Sequence, residues 1–430
     1  MNVSAIHKAG GISPPNRNSG TEGTNIVADG DHCLVTPMEL LHHRPNTPRE
    51  YDIVVLGASG YTASIGAEYI AKNSRTDLKW AIAGRSRGKL EALAEKLKAI
   101  NPDRIQPGIV VVTMEQPSLN GMAGRSTLVI NGIGPYHLYS TPVVEACATM
   151  GTHYVGFSLE TPWVEDMISR YHKTATDNGA IIIPTIALCP SDIVSFLVAK
   201  TIHDRHGGVG AGEVNSTAKL EIQGMSGGSL NTVLSLIQTY GIGWILFGNP
   251  WSLSATSQRR KPNPAPLLSR IFGYRSIPGF GDVTTSFLAI CNESIAHRSS
   301  TLMPNIYGPD FNFHEYLPTT GPFAGAVTHL ILRLSGTGPD LATAADSERQ
   351  EFLAIGAPSK SNGAQVSARY VYEGSLYYCS ALMGVEAALS ILGEKTYAHE
   401  IGGGILTPAT LGLPFIERLR SAGLKIQVDA

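Results

Sequence analysis

From residue 50 the chain alternates short apolar runs with stretches whose apolar positions recur every three or four residues. The runs are Asp52–Leu56, Lys79–Gly84, Ile109–Val112, Thr127–Asn131, His153–Phe157 and Ala180–Pro184. Near-continuous apolar runs of this length predict strands buried on both faces of a parallel sheet. Between them, Ile65, Tyr69 and Ile70, then Leu90, Leu93, Ala94 and Leu97, then Trp163, Met167 and Tyr171 recur at helical spacing. A further helix is predicted from Thr141 to Met150, with Pro142 in its first turn, where the missing N–H costs nothing. Six strands with helices between them predict an α/β fold: an open, doubly wound, mostly parallel sheet with right-handed crossovers.

Beyond residue 200 the pattern changes. Val214–Gln223 and Gln365–Tyr372 alternate polar and apolar positions, and Thr284–Ile295 is strand-like. Half-exposed strands predict a second α+β domain with a mostly antiparallel sheet, covered on one face. No Asp, Glu, Lys or Arg occurs from Ile222 through Gln258. Its apolar part, Leu230–Phe247, reads as a buried helix or cavity wall, with a membrane-contacting surface or a homo-oligomer interface as alternatives. Arg259–Gly281, rich in proline and basic residues, reads as an exposed loop. Met383, Ala387, Leu389 and Ile391 predict a helix ending near Leu392. The triple glycine Gly402–Gly404 precedes a last helix with Leu411, Phe415 and Leu419 on one side. It is read as a chain reversal docking that helix on the first domain, rather than as a phosphate cradle. Residues 1–49, with no apolar period, read as a flexible extension. The expected organisation is therefore 1–49 extension, 50–200 Rossmann-type domain, 201–373 α+β domain and 374–430 returning helices.

Composition narrows the partners. Lys plus Arg number 33 and Asp plus Glu 35, a formal net charge of −2. That balance argues against nucleic acid or an anionic membrane surface as a partner. Charged residues make up 16%, against roughly 25% in ordinary domains, which points to buried interfaces or an apolar substrate cavity. Five scattered cysteines without a C-x-x-C pair or zinc spacing fit a reducing, cytoplasmic setting and no metal. The first residues lack the charged and apolar regions of a secretory signal, and no uninterrupted apolar run reaches membrane-spanning length.

The chemistry starts at Gly57-Ala58-Ser59-Gly60-Tyr61-Thr62-Ala63, where the first strand meets the first helix. A strand, a glycine turn and a helix N-terminus form the phosphate-binding unit of a dinucleotide fold. A bare glycine pattern is also compatible with a structural turn. The second strand supports the cofactor reading, because it ends in Arg85-Ser86-Arg87 rather than in a carboxylate. Arginine there suits a ribose 2′-phosphate, and hence NADP over NAD.

With these motifs in hand, the chain resembles the saccharopine dehydrogenase-like oxidoreductases, especially the trans-acting enoyl reductase branch. The resemblance runs from about residue 51 to the end. It is carried by the glycine turn, Ala83-Gly84-Arg85-Ser86, Asn131-Gly132-Ile133-Gly134-Pro135-Tyr136, Gly151-Thr152-His153-Tyr154-Val155, Pro190-Ser191-Asp192, Ser226-Gly227-Gly228-Ser229 and Gly403–Thr410. It implies a Rossmann domain, a second domain shaping the substrate pocket, and reduction of acyl or polyketide-like double bonds. A polyketide synthase is then the implied partner and a carrier-bound intermediate of secondary metabolism the implied substrate. Two departures stand out. Gly156 holds the position of a family aspartate, and Ile186-Ala187-Leu188-Cys189 replaces a longer stretch containing a carboxylate.

The residues expected to hold the cofactor are Gly57, Ser59, Gly60, Tyr61, Thr62, Arg85, Ser86, Asn131, Gly134 and Pro135. Hydride delivery leaves negative charge that a proton donor must meet. Tyr136, His153 and Glu160 are the expected catalytic residues, with His137 a further candidate. Each also has a plain reading: a packing tyrosine, a core histidine and a helix cap. Asp192 is expected to cap the helix it opens. The leading expectation is an NADPH-dependent reductase of a hydrophobic enoyl or carbonyl substrate. A non-redox isomerase or cyclase on this fold and a lipid-associated binding protein are the alternatives.

Overall fold

The computed structural model describes residues 48–221, 227–241, 243–244, 248–254, 273–286, 288–321, 324, 348–360 and 363–429. The expected N-terminal extension and most of the loop expected at 259–281 fall outside these residues, as does part of the charge-free segment.

The six apolar runs are strands: β1 (Tyr51–Leu56), β2 (Trp80–Gly84), β3 (Gly108–Val111), β4 (Ser126–Asn131), β5 (His153–Gly156) and β6 (Ile181–Ile183). Between them lie α1 (Tyr61–Asn73), α2 (Arg87–Ile100), α3 (Gln116–Gly124), the single turn α4 (Tyr136–Tyr139), α5 (Thr141–Met150) and α6 (Thr161–Asp177). Next come α7 (Cys189–Arg205), β7 (Ala211–Glu221), α8 (Gly227–Tyr240), β8 (Arg275–Ile277), β9 (Gly281–Thr285), α9 (Ala289–Leu302), β10 (Asn312–Pro318), β11 (Arg349–Pro358) and β12 (Val366–Glu373). The chain closes with α10 (Leu376–Gly393), β13 (Gly404–Ile405), α11 (Gly412–Ser421) and β14 (Lys425–Asp429).

The first sheet has the order β13-β6-β5-β4-β1-β2-β3. All its pairings are parallel, with Ile53 opposite Trp80 on one side and Leu128 on the other. The triple glycine is the chain reversal that the sequence suggests, and it does more. Gly402, Gly403 and Gly404 all have positive φ, which only glycine adopts without strain. They swing the chain so that Gly404 and Ile405 add a seventh strand beside β6.

The second sheet runs β14-β12-β11-β7-β10-β9-β8 and is antiparallel except where β10 pairs with β7. Of Thr284–Ile295 only Thr284 and Thr285, the end of β9, are strand. After β9 the chain turns into α9, whose Asn292, Ser294, His297, Arg298 and Ser299 are buried beside its apolar residues. A helix that buries polar side chains beside apolar ones has no amphipathic period to read. Arg275–Ile277 is likewise a strand, within the stretch expected to be loop.

One continuous core unites the sheets. Ile193, Phe196 and Val198 of α7 lie in the same buried cluster as Ile53 and Val55 of the first sheet and Val214, Phe352 and Ala368 of the second. Helices 186–205 and 376–393 are long and apolar enough to cross a membrane by length and composition. Most of each is buried inside the protein.

Candidate dinucleotide site and the Glu160–His137 pair

β1 and β4 are neighbours at the point where the strand order reverses, and their carboxyl ends open the crevice in which such sheets hold nucleotides. Gly57 forms the floor. Its φ is +74°, and a Cβ there would lie 2.8 Å from Ile133 Cγ1. The Gly60 N–H donates to the Gly57 carbonyl at 2.8 Å and closes the turn. Gly60 is the N-cap of α1 without a side-chain cap bond, so the first helical amides stay available to an anion. Ser59, Gly60 and Tyr61 are exposed, and the Tyr61 ring meets Tyr377 edge-on at 5.2 Å. Ala63, at the third fingerprint position, is accommodated by its neighbour: a Cβ on Gly132 would lie 2.6 Å from the Ala63 methyl. The small residue has moved from the helix to the facing loop.

Arg85 and Ser86 stand exposed at the end of β2. Among the described residues Arg85 makes no hydrogen bond or ion pair, whereas nearby Arg87 faces Glu91 at 3.8 Å. Ser86 is the N-cap of α2 but makes no side-chain cap bond. A glycine-only turn, uncapped helix amides and an unpaired guanidinium where a ribose-binding carboxylate is absent fit a 2′-phosphorylated dinucleotide.

Asn131 is a framework residue. Its Nδ2 donates to Ser140 Oγ at 2.8 Å and Tyr154 OH at 3.0 Å, and its Oδ1 accepts from the Ile133 N–H at 3.0 Å. It shapes the loop that carries Gly134, which is exposed, and Pro135, which is buried. Tyr136 does not present a free phenol. Its hydroxyl donates to the Asn131 carbonyl and accepts from the Phe157 N–H, both at 2.8 Å. Burial pushes that phenol well above the usual tyrosine range. The expectation of Tyr136 as proton donor thus meets a hydroxyl already committed to holding the ends of β4 and β5 together.

Glu160 and His137 form the distinctive feature. Glu160 is the N-cap of α6 by position, yet its carboxylate makes no cap bond there. It turns to α4 instead. Oε1 accepts from the Tyr136 N–H at 2.8 Å, and Oε2 accepts from the His137 N–H at 2.7 Å. Oε2 also lies 2.6 Å from His137 Nδ1, and neither side chain is appreciably exposed. His137 Nε2 has no hydrogen-bond partner among the described residues. His153 is separate from this group. It begins β5, at the amino edge of the sheet, where its Nδ1 accepts from the Ile181 N–H at 3.0 Å. The structure holds this ring at the end of β5 opposite the one that leads to Phe157 and Glu160.

The departures from the family pattern have local counterparts. A Cβ at Gly156 would lie 2.8 Å from the Tyr154 hydroxyl, so that phenol fills the space of a side chain at 156. Asp192 sits in the first turn of α7, but its carboxylate reaches away from the helix to Ser299 and Ala409. It is a tertiary cross-link rather than the cap expected. Glu315 is a second buried carboxyl, accepting from Ser191 Oγ at 2.6 Å, Ser286 Oγ at 3.0 Å and Asn292 Nδ2 at 2.8 Å. Burial raises Glu315 to about 7 despite these bonds. Sequence reasoning did not single it out, because nothing in Phe313-His314-Glu315-Tyr316 marks an inward carboxylate.

The parallel sheet and the glycine turn at Gly57 fit an NADP-dependent oxidoreductase. Residues 53–183 match the family described as the saccharopine dehydrogenase NADP binding domain. The chain is 28% identical over 418 residues to a trans-acting enoyl reductase of Mycobacterium tuberculosis, covering 87% of this chain and 97% of the relative. It is 26% identical over 419 residues to the trans-acting enoyl reductase of Mycobacterium ulcerans, covering 88% and 97%. Among solved structures, saccharopine dehydrogenase (L-Glu forming) from Saccharomyces cerevisiae shares the fold, with a TM-score of 0.52 and 14% identity. That match covers 88% of this chain and all of the other.

Proposed function

We propose that this oxidoreductase uses NADPH to reduce a hydrophobic enoyl or carbonyl substrate, presented on a carrier by a polyketide synthase in the cytoplasm. The observation that carries the cofactor half of this reading is the unpaired Arg85 beside the glycine turn. The substrate half is supported by the names of the relatives and by the charge-free run from Ile222 through Gln258. NADPH bound at Gly57 supplies a hydride. The chain's own part is to place the acceptor over the carboxyl ends of β4 and β5 and to keep water from it.

Fluorescence titration with NADPH and NADH, on wild type and R85A, tests the first half. NADPH is expected to bind at least tenfold more tightly than NADH, and R85A to erase most of that difference. Failure of either cofactor to bind overturns the reading. For the second half, NADPH oxidation is followed with a 2-enoyl N-acetylcysteamine thioester, the matching ketone and the free acid. Turnover without added NADPH would favour a non-redox isomerase, the reading that Gly156 in place of a carboxylate would suit.

A further inference from the structure

We propose that His137 is the proton donor of this site, with Glu160 as its positioning residue. The inference rests on the reductase reading above and adds the group that completes the reaction.

Three observations carry it. The first is an orphaned nitrogen. The imidazole has no solvent exposure, and its Nε2 has no partner among the described residues. Buried polar atoms are nearly always paired, so a bare one points to a partner that arrives with a ligand. The second is the carboxylate. Capping the α4 turn needs only the Tyr136 and His137 N–H groups, and Glu160 already accepts both. The additional 2.6 Å contact to Nδ1 does nothing for the cap. It holds the imidazole in one orientation, the part a carboxylate plays beside a general acid. The third is place. His137 lies six residues beyond Asn131, on the loop that leaves β4 at the reversal point of the strand order. The Tyr240 ring packs edge-on to the imidazole at 6.1 Å, and its phenol donates to Asp166 at 3.1 Å. Glu160 and Tyr240 are thus the titratable groups against the ring, and Asp166 holds the second of them.

The step balances as follows. NADPH would supply a hydride to the β-carbon of the enoyl thioester, with the π electrons moving to the α-carbon and the carbonyl oxygen. The Nε2–H bond of the His137 imidazolium breaks, and its proton goes to the α-carbon. The electron pair stays on nitrogen, leaving a neutral imidazole with Nδ1–H on Glu160. Water restores the lost proton after product leaves.

The test uses the full chain, with NADPH and a 2-enoyl N-acetylcysteamine thioester. H137Q and H137N are expected to bind NADPH within about twofold of wild type and to reduce the thioester at least 100-fold more slowly, the scale of general acid catalysis. E160Q is expected to slow reduction with KM little changed. Equal rates in wild type and a folded His137 variant overturn the proposal. Nitrogen-15 NMR of histidine-labelled wild type supplies a readout without turnover. The Nε2 resonance of His137 is expected to move when NADP+ and the saturated thioester are added together. A purely structural histidine would leave it in place, and an unmoved resonance overturns the role even where reduction proceeds. A wild type that binds NADPH and reduces no acceptor instead overturns the reductase reading, and this role with it.

Discussion

The Asp192 carboxylate accepts a hydrogen bond from the Ala409 backbone N–H at 2.7 Å, joining residues 217 positions apart. Its other oxygen accepts from Ser299 Oγ at 2.5 Å. One buried side chain therefore ties α7 to α9 and to the turn after β13.

Burial raises Asp192 from 3.8 to about 7, with the Ser299 and Ala409 bonds opposing the shift. A carboxyl with a raised folded pKa binds more protons when folded across that interval, so its effect on stability turns unfavourable as pH rises from about 4 to about 7. Glu315, raised from 4.5 to about 7, acts in the same direction. D192N imitates the protonated form: its oxygen keeps the Ala409 bond and its amide donates to Ser299. Urea unfolding of D192N is expected to show a shallower decline with pH than wild type. D192A leaves the Ala409 N–H buried and unpaired and is expected to cost about 1–3 kcal/mol at every pH.

Ala63 and Gly132 share one space. G132A would bring two methyl carbons to 2.6 Å unless the helix or the loop moves. Overpacking of this kind costs about 1–3 kcal/mol and is expected to weaken NADPH binding, because Gly57 rests on the same loop. Adding A63G should recover most of both losses. Thermal unfolding and NADPH titration of the two single variants and the double variant measure that coupling, and additive losses would show that the contact is not the cause.

Y136F separates framework from chemistry. It removes the hydroxyl that bridges the Asn131 carbonyl and the Phe157 N–H. The expected cost is about 1–3 kcal/mol of stability, with kcat for NADPH-dependent reduction kept within a few-fold. A kcat loss of a hundredfold in a folded Y136F protein would return the phenol to the chemistry.

Most of the first domain is legible in the sequence because its strands are buried on both faces and its helices on one, patterns that periodicity reads directly. Gly57, Arg85 and the direction of the sheet follow from that frame. The rest hides for identifiable reasons. Ser294, His297, Arg298 and Ser299 are polar yet buried in α9, so the helix shows no apolar stripe. Glu160 stands at the start of α6 and reads as its cap, but the carboxylate serves a turn 24 residues earlier. His137 is named by the sequence only as a candidate. What sets it apart from His153 is the orphaned Nε2, which no spacing encodes.

G57A is expected to abolish NADPH binding while leaving the protein folded. The φ of +74° and the 2.8 Å approach to Ile133 both exclude a methyl in the present turn. The backbone there must shift away from the pyrophosphate path. Retained affinity in the titration would move the cofactor away from this crevice.

β13 and β14 both follow Gly403, yet one belongs to the sheet that starts at Tyr51 and the other to the sheet that starts at Ala211. The first sheet is incomplete until Ile405 has been made, and the second until Asp429 has been made. β6 and β12 each wait with one bare edge during synthesis, and edges of that kind recruit stray strands. Chains that end before Gly404 should therefore leave both edges bare and protease-sensitive, chains that end between Leu406 and Leu424 only the β12 edge, and chains that include Asp429 neither.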